Sequence, residues 1–371
     1  MREPVGGARR ERVLFVTRRF PPTIGGQELY AANVYRALRA SHDVTVVALR
    51  RPHTVHLLWF LPWAAARVLF ATATRRVDRV VFGDAVVYTA LGWFVYSTHV
   101  QRDVLTLGLD VSYANPLYRA VLRRGLRRAD RVTALSRAGV EPLGRLGVPA
   151  QEVVIVAPGI DPPKHDVDRA EARRHVLDGL GITPDALVVA LVGRLVARKG
   201  TAWFVDAVVP NLPDGVACII AGAGPEQQAV HDAVERNRLQ SRVLLLGAVD
   251  DESRDLLYAA TDVVVIPNVP VEGDMEGFGL VAIEAMFAGS LVLAADLEGL
   301  RDSVLDDVTG YTCPPRSATC FVDRITALAA NPVKRADDAA RFASAARDRF
   351  SYERMAVGLA GVLTGPRRGD R

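Results

Sequence analysis

Two glutamates eight positions apart, Glu276 and Glu284, bracket the segment MEGFGLVAIEAMFAGS that runs from Met275 to Ser290. Gly277, Phe278 and Gly279 lie between them, and an apolar run that reads as a helix over Phe278 to Phe287 follows. The two glycines leave backbone bare where the helix begins, so its unpaired N–H groups and positive dipole end can meet a phosphate. With a rise of about 1.5 Å per residue, Glu284 sits roughly 7–8 Å along the axis from Gly279, and Glu276 precedes the helix. A carboxylate can then hold hydroxyls on each side of a diphosphate, the outline of a sugar nucleotide. The same pattern also fits an ordinary loop and helix with both glutamates solvated.

Cations stand at the end of a second segment. Leu187 to Val192 is a continuous apolar run suited to a buried parallel strand, and it ends in Gly193-Arg194-Leu195-Val196-Ala197-Arg198-Lys199-Gly200. Open α/β sheets place ligands at such carboxyl ends. Arg194 can grip a phosphate with two donors and Lys199 can act as a mobile point charge, with Arg198 the spare that could stand in for Lys199. Val216 to Ile220 ends in Ala221-Gly222-Ala223-Gly224, where Gly222 suits close approach to a base or ribose, or simply a tight turn. His99 follows the apolar run Trp93 to Ser97, which reads as a strand, so its imidazole is expected at a strand's carboxyl end with a sugar hydroxyl in reach.

These residues need a scaffold of strands alternating with helices. In the first half, strands are expected over Arg12–Thr17, Val44–Leu49, Arg79–Phe82, Trp93–Thr98, Arg131–Leu135 and Val153–Val156, with a helix over Glu28–Arg39. In the second half, strands begin at Leu187, Val216, Val243, Val263 and Leu291. A chain of 371 residues, half of them hydrophobic, can bury two cores of this α/β kind. The expected division is 1–163, completed by 351–371, and 164–350, with a linker over Pro158 to Asp168.

The blocks RRFPPTIGGQE, ADRVTALS, VIVAPGID, VGRLVARKG, IAGAGPE, LLGAV and EGFGLVAIEAMFAGS occur in this order along nearly the whole chain. Together they resemble the GT-B retaining glycosyltransferases, glycosyltransferase family four, also called the glycosyltransferase group 1 family. The resemblance implies two doubly wound Rossmann-like domains facing across a cleft, with a last helix, Phe350 to Leu363, crossing back to the first domain. It implies that Arg194 and Lys199 neutralise the diphosphate of a UDP- or GDP-sugar and that Glu284 binds the ribose. Glu276, with the backbone of Gly277, Phe278, Gly279 and Leu280, would face the transferred sugar. Gly25 and Gly26 would let the amino-terminal domain close over the phosphates, and the family often carries a histidine where His99 stands. Two departures occur: Glu298-Gly299 replaces the family's paired glycines, and Ala157-Pro158-Gly159 lacks its usual asparagine.

The implied activity is retaining transfer of a hexosyl-type sugar to an acceptor hydroxyl on a glycan, glycolipid or small molecule, with no cofactor and no metal. Asp166-Val167-Asp168 is the one Asp-x-Asp in a place to consider, and it falls in the linker. A catalytically silent sugar-nucleotide-binding partner of a glycosylation complex is the alternative. A nicotinamide oxidoreductase is disfavoured because no strand leads into a full Gly-x-Gly-x-x-Gly with a distant acid.

Charge is unevenly divided. Residues 1 to 165 carry 24 Lys+Arg against 12 Asp+Glu, and the remainder 22 against 30. The basic half suggests an acidic acceptor or an anionic membrane surface, and nucleic acid is disfavoured for want of a binding motif. Leu117 to Arg131 reads as a basic amphipathic helix that could lie on a bilayer or pack on a core. Val55 to Thr74 is the most apolar window, expected as a pair of packed helical turns with Trp59 and Trp63 grazing lipid. His53 and His56 read as packing residues, and Cys218, Cys313 and Cys320 as reduced thiols. The start MREPVGGARRER lacks a signal-peptide core, so a cytoplasmic location is expected, peripheral on the inner face of the membrane if lipid is bound.

Overall fold

The computed structural model describes residues 10–23, 25–51, 54–96, 99–162 and 168–368. The chain divides into two compact units, residues 1–159 with 352–371 and Ile160–Ser351. The amino-terminal segment, His53, Ser97, Thr98 and Asp166-Val167 lie outside the described residues.

Unit 1 holds a six-stranded parallel sheet of β1 (Arg12–Thr17), β2 (Asp43–Ala48), β3 (Arg79–Phe82), β4 (Gln101–Thr106), β5 (Arg131–Ala134) and β6 (Val153–Ile155), in the order β2-β1-β3-β4-β5-β6. Its central strands bury Val13 to Val16, Val80 to Phe82 and Val104, so both faces must be covered by helices, as parallel sheets require. Helix α1 (Gly26–Ser41) supplies one cover, and α2 (Leu57–Ala73) turns Phe60, Ala64, Ala65, Val68 and Thr72 inward.

The expected strand Trp93–Thr98 is absent over its described part. Gly92–Phe94 forms a short 3-10 turn, and the fourth strand begins at Gln101. This strand is disguised by charge: Asp103 is buried and pairs with Arg79 and with Arg131 at 3.4 Å, cations supplied by the two neighbouring strands. Arg79 also donates to the carbonyl of Leu363 at 3.0 Å and Arg131 to that of Gly365 at 2.5 Å. Two buried arginines thus take up carbonyls at the end of the helix Tyr352–Thr364, which otherwise have no intrahelical donor. Arg36 stacks 3.2 Å from the Tyr352 ring, and so the carboxyl-terminal helix belongs to unit 1 and packs on α1.

The basic helix spans Pro116–Leu126 and spends its apolar stripe on the core, with Leu122 and Leu126 buried and the arginines outside. Of its large apolar residues only Leu117, at the first turn, stays exposed. The Val55–Thr74 window is also not two packed turns: a 3-10 turn over Thr54–His56 leads into a single 17-residue helix, α2, that continues through Pro62. Among the described residues no helix is long and apolar enough to cross a membrane.

Unit 2 repeats the plan with β7 (Leu187–Val192), β8 (Val216–Ala221), β9 (Val243–Gly247), β10 (Val263–Ile266), β11 (Leu291–Ala295) and β12 (Tyr311–Cys313), in the order β12-β11-β10-β7-β8-β9. The first strand, β7, therefore lies between β8 and β10, and the chain winds away from it in both directions. That reversal is a topological switch point, where the loops leaving two neighbouring strands diverge and open a crevice. Cys313, on β12, and Cys320 form a disulfide, so the expectation of three reduced thiols is corrected, and Cys218 alone is free, buried in β8.

Candidate functional site

The loops leaving β7 and β10 are pressed together by Gly200. This residue has φ 65°, and a Cβ there would stand 2.2 Å from the carbonyl oxygen of Pro267. Only glycine permits that approach, which is locked by the Val269 N–H donating to the Arg198 carbonyl at 2.9 Å. The short 3-10 turn Ala197–Lys199 is thereby held over the segment that carries Asn268, Asp274 and Glu276.

Glu276 is buried at the centre of the resulting cluster. Its Oε2 accepts from Lys199 Nζ at 2.5 Å, Arg198 Nη1 at 2.5 Å and Asn268 Nδ2 at 3.1 Å. Burial opposes the charge, but Lys199 and Arg198 outweigh it and hold the carboxyl at about 2. Arg198, expected to be the spare cation, is thus a full member of the cluster, and it also binds Asp274 at 3.0 Å. Arg194 is exposed just beyond β7 and enters no ion pair among the described residues. With Lys199, Thr201, Pro267 and Asn268 it lines a small cavity at the switch point. Asn268 is buried, and its Oδ1 has no hydrogen-bond partner among the described residues.

The glycine turn leads from Glu276 into the helix Leu280–Phe287, with Gly279 as its N-cap at φ 81°. The first-turn N–H groups of Leu280 and Val281 have no acceptor within the helix. Phe278 is buried against Phe350 at 5.6 Å between ring centres, which anchors the turn. One and a half turns on, Glu284 accepts from the Tyr258 hydroxyl at 3.2 Å. Burial pushes its carboxyl up, partly offset by the charge of Arg254 and the Tyr258 bond, and Asp255 and Asp251 raise it further.

Glu298 is the residue that sequence reasoning noticed without placing. It follows β11 at φ 49°, in the left-handed region that costs a non-glycine residue about 1–2 kcal/mol. Its Oε2 accepts from the Glu276 N–H at 2.6 Å, and the Gly299 N–H donates to the Glu276 carbonyl at 3.2 Å. Burial raises the Glu298 carboxyl, as does the negative charge of Glu276, against the backbone bond that lowers it. A third carboxylate therefore fixes the peptide that carries Glu276. Tyr258, Arg254 and Asn268 were missed from sequence. Asn268 stands two residues past β10, the strand-end position that had drawn attention to Arg194.

Gly222 finds a different reason. A Cβ on it would lie 1.8 Å from the carbonyl oxygen of Gly193, so glycine is required by the packing of two strand-end loops, with no base or ribose invoked. In unit 1, Gly25 caps α1 and Gly26 is the helix's first residue, following the carboxyl end of β1, itself a switch-point strand between β2 and β3. His99 is corrected: it is exposed in the turn before β4, near that strand's amino end and not at a carboxyl end. The geometric reason for giving it a role is gone. Among the described residues no group of three or more His, Cys, Asp or Glu could hold a metal.

Two doubly wound parallel sheets, the second with strand-end cations and a glycine turn before a helix, define a protein of the GT-B class. The solved structures agree in fold. HepE of Anabaena, determined with UDP, superposes with a TM-score of 0.77 at 21% identity, over 95% of this chain and 99% of that one. Sucrose-phosphate synthase of Thermosynechococcus elongatus gives 0.77 at 21% identity, over 95% and 98%. The family described as Glycosyltransferase Family 4 matches residues 24–164, and Glycosyl transferases group 1 matches residues 186–331. The chain belongs to this glycosyltransferase family. Among similar proteins is the GDP-mannose-dependent alpha-(1-6)-phosphatidylinositol monomannoside mannosyltransferase of Mycolicibacterium smegmatis, 28% identical over 96% of this chain and 99% of that protein. A D-inositol 3-phosphate glycosyltransferase of Actinosynnema mirum is 30% identical over 71% of this chain and 65% of its own length.

Proposed function

We propose that the chain is a retaining, metal-independent hexosyltransferase that takes its sugar from a UDP- or GDP-linked donor and delivers it to an acceptor hydroxyl on a glycan, glycolipid or small molecule. The observation that carries this reading is the Glu276–Lys199–Arg198 cluster beside the bare helix start at the switch point of unit 2. The bond between the anomeric carbon and the diphosphate oxygen breaks, and its electron pair leaves with the diphosphate. Lys199, Arg194 and the N–H groups of Gly279 and Leu280 meet that developing charge, a task for which preorganised cations and amides suffice. The acceptor oxygen bonds to the anomeric carbon from the face the diphosphate leaves, and its proton passes to the departing phosphate. Glu276 positions the sugar, since a carboxyl held at about 2 and bonded to three donors is a poor base and a restrained nucleophile. Glu284 takes the ribose hydroxyls, aided by Tyr258. The use of GDP-mannose by the Mycolicibacterium smegmatis relative and the UDP in the Anabaena structure support the choice of base.

A thermal-shift panel of UDP-, GDP-, ADP- and dTDP-sugars identifies the donor, because ligand that binds only the folded state raises the melting point. Release of nucleoside diphosphate from that donor is then followed with and without EDTA. Turnover that survives the chelator, and that falls by about 10²–10³ in Lys199→Ala, is expected. No shift with any of the nucleotides sinks the assignment, and abolition by EDTA removes its metal-independent part.

A further inference from the structure

An amphipathic helix in a globular protein turns its apolar residues inward, and one that is apolar all round is buried or meets lipid. Helix α2 is apolar on every side except at Arg67, yet it is not buried. Its inward stripe is Phe60, Ala64, Ala65, Val68 and Thr72. The opposite side leaves Leu58 at 78% exposure, Trp59 at 51%, Trp63 at 46%, Leu69 at 41% and Phe70 at 51%. Trp59, Trp63 and Phe70 follow one another by four and seven residues, so they form one stripe along a helix about 25 Å long. The turn Gly92–Phe94 extends this surface. The Phe94 carbonyl accepts from the Thr72 hydroxyl of α2 at 3.4 Å, and the exposed Trp93 ring lies under Arg128 at 4.8 Å.

Charge identifies the occupant. Residues 44 to 77 contain five arginines and no Asp or Glu. Arg67, Arg75 and Arg76 are exposed on and just beyond α2, and Arg128 carries the positive rim on to the basic helix Pro116–Leu126, where Arg119, Arg123 and Arg124 face outward. A protein partner built to meet such a face would find acidic groups missing for any lysine or arginine of its own. Exposed tryptophans rimmed by arginines match the boundary between headgroups and acyl chains of an anionic bilayer, where the ring sits at the interface and the guanidinium meets phosphate.

We propose that the outward face of α2, with Trp93, Phe94 and the flanking arginines, docks unit 1 on an anionic lipid surface. The helix lies in the plane of the interface with its aromatic stripe among the acyl chains, and the arginines neutralise lipid phosphates. This surface is separate from the unit 2 residues assigned to the donor, so the inference stands without the transferase reading.

The test uses the full chain with vesicles of phosphatidylcholine alone and of phosphatidylcholine mixed with phosphatidylglycerol. Co-sedimentation with the mixed vesicles at low salt, reversed by added salt, is expected, accompanied by a blue shift of tryptophan emission. The triple variant Trp59→Ala, Trp63→Ala, Phe70→Ala loses partition by on the order of a hundredfold, while it still unfolds cooperatively and keeps the parent chain's response to nucleotides. Absence of binding to the mixed vesicles overturns the proposal, as does binding that the triple variant retains. A lipid-free dimer abolished by the same variant, with no vesicle binding, assigns the face to a second copy and overturns it as well. Vesicle binding without any nucleotide response removes the transferase assignment alone.

Discussion

Replacing Glu276 with glutamine keeps the shape of the side chain and one acceptor oxygen but removes the charge that holds Lys199 and Arg198. The magnitude follows from the carboxyl being held at about 2 against an ordinary 4.5. A difference of roughly 2.5 units at about 1.36 kcal/mol each makes the folded state about 3 kcal/mol more stable at neutral pH than an unpaired carboxylate would. The sign is that of a depressed acid. This stability is fully present above about pH 4.5, shrinks as the pH falls towards 2, and is gone below it, because the folded carboxylate must then take up a proton. Glu276→Gln lacks the titrating group and starts about 3 kcal/mol less stable at neutral pH. The two stability curves must therefore converge on acidification, with the gap about halved near pH 3. Trp203 is the one tryptophan of unit 2, partly buried against its core, so its fluorescence in urea reports the unit that holds Glu276. Phenylalanine at Trp59, Trp63 and Trp93 silences unit 1. A gap between the two proteins that stays constant from neutral pH to about pH 3, or no gap at all, refutes the pairing argument.

Glu284→Ala removes the acceptor of the Tyr258 hydroxyl and the proposed ribose ligand. Calorimetry should show nucleotide affinity reduced by about ten- to a hundredfold, as for the loss of hydrogen bonds to a charged group. Glu298→Gly relieves left-handed strain of about 1–2 kcal/mol and loses a charged hydrogen bond of about 1.5–3 kcal/mol, so stability to urea changes by no more than about 2 kcal/mol. The same variant strips a negative charge from beside Glu276 and should bind the nucleoside diphosphate more tightly, as calorimetry can read. The Cys313–Cys320 bridge predicts that the denatured chain offers one thiol to Ellman's reagent before reduction, that of Cys218.

The strands that position the site were legible because parallel sheets buried on both faces demand unbroken apolar runs, and Leu187–Val192, Val216–Ala221 and Leu291–Ala295 supply them. Strand β4 was not, because its opening Gln101-Arg102-Asp103 is polar and its burial depends on Arg79 and Arg131, which are remote in sequence. The aromatic run from Trp93 drew the assignment instead, and with it the misplacement of His99. Strand β12 escaped notice because three residues, Tyr311–Cys313, carry no periodicity. Among the candidate residues, Arg194 and Lys199 were singled out by their strand-end position, and Glu276 and Glu284 by the glycine-bracketed helix start between them. That Lys199 bonds to Glu276 could not, since 77 residues separate them and only the close approach of Gly200 to Pro267 brings them together.

That pairing changes what the cations can do for a diphosphate. Arg198 and Lys199 share Glu276, and Arg198 is further engaged by Asp274, which leaves Arg194 as the strand-end cation without an ion pair among the described residues. Under the proposed function, an incoming diphosphate would have to compete with Glu276 for Lys199, whereas Arg194 would be open to it from the outset. Competition of this kind favours the species with the greater charge, since each added negative charge strengthens the pull on Lys199 and leaves the pull of Glu276 unchanged. The charge on the departing group grows as the sugar–oxygen bond breaks. Under the proposed function, Lys199 would gain more from the leaving diphosphate than from the intact donor, which is the differential stabilisation that accelerates a reaction. A lysine is suited to that exchange because its flexible stem and single ammonium can turn between two acceptors, while the guanidinium of Arg198 stays fixed by Asp274 and Glu276.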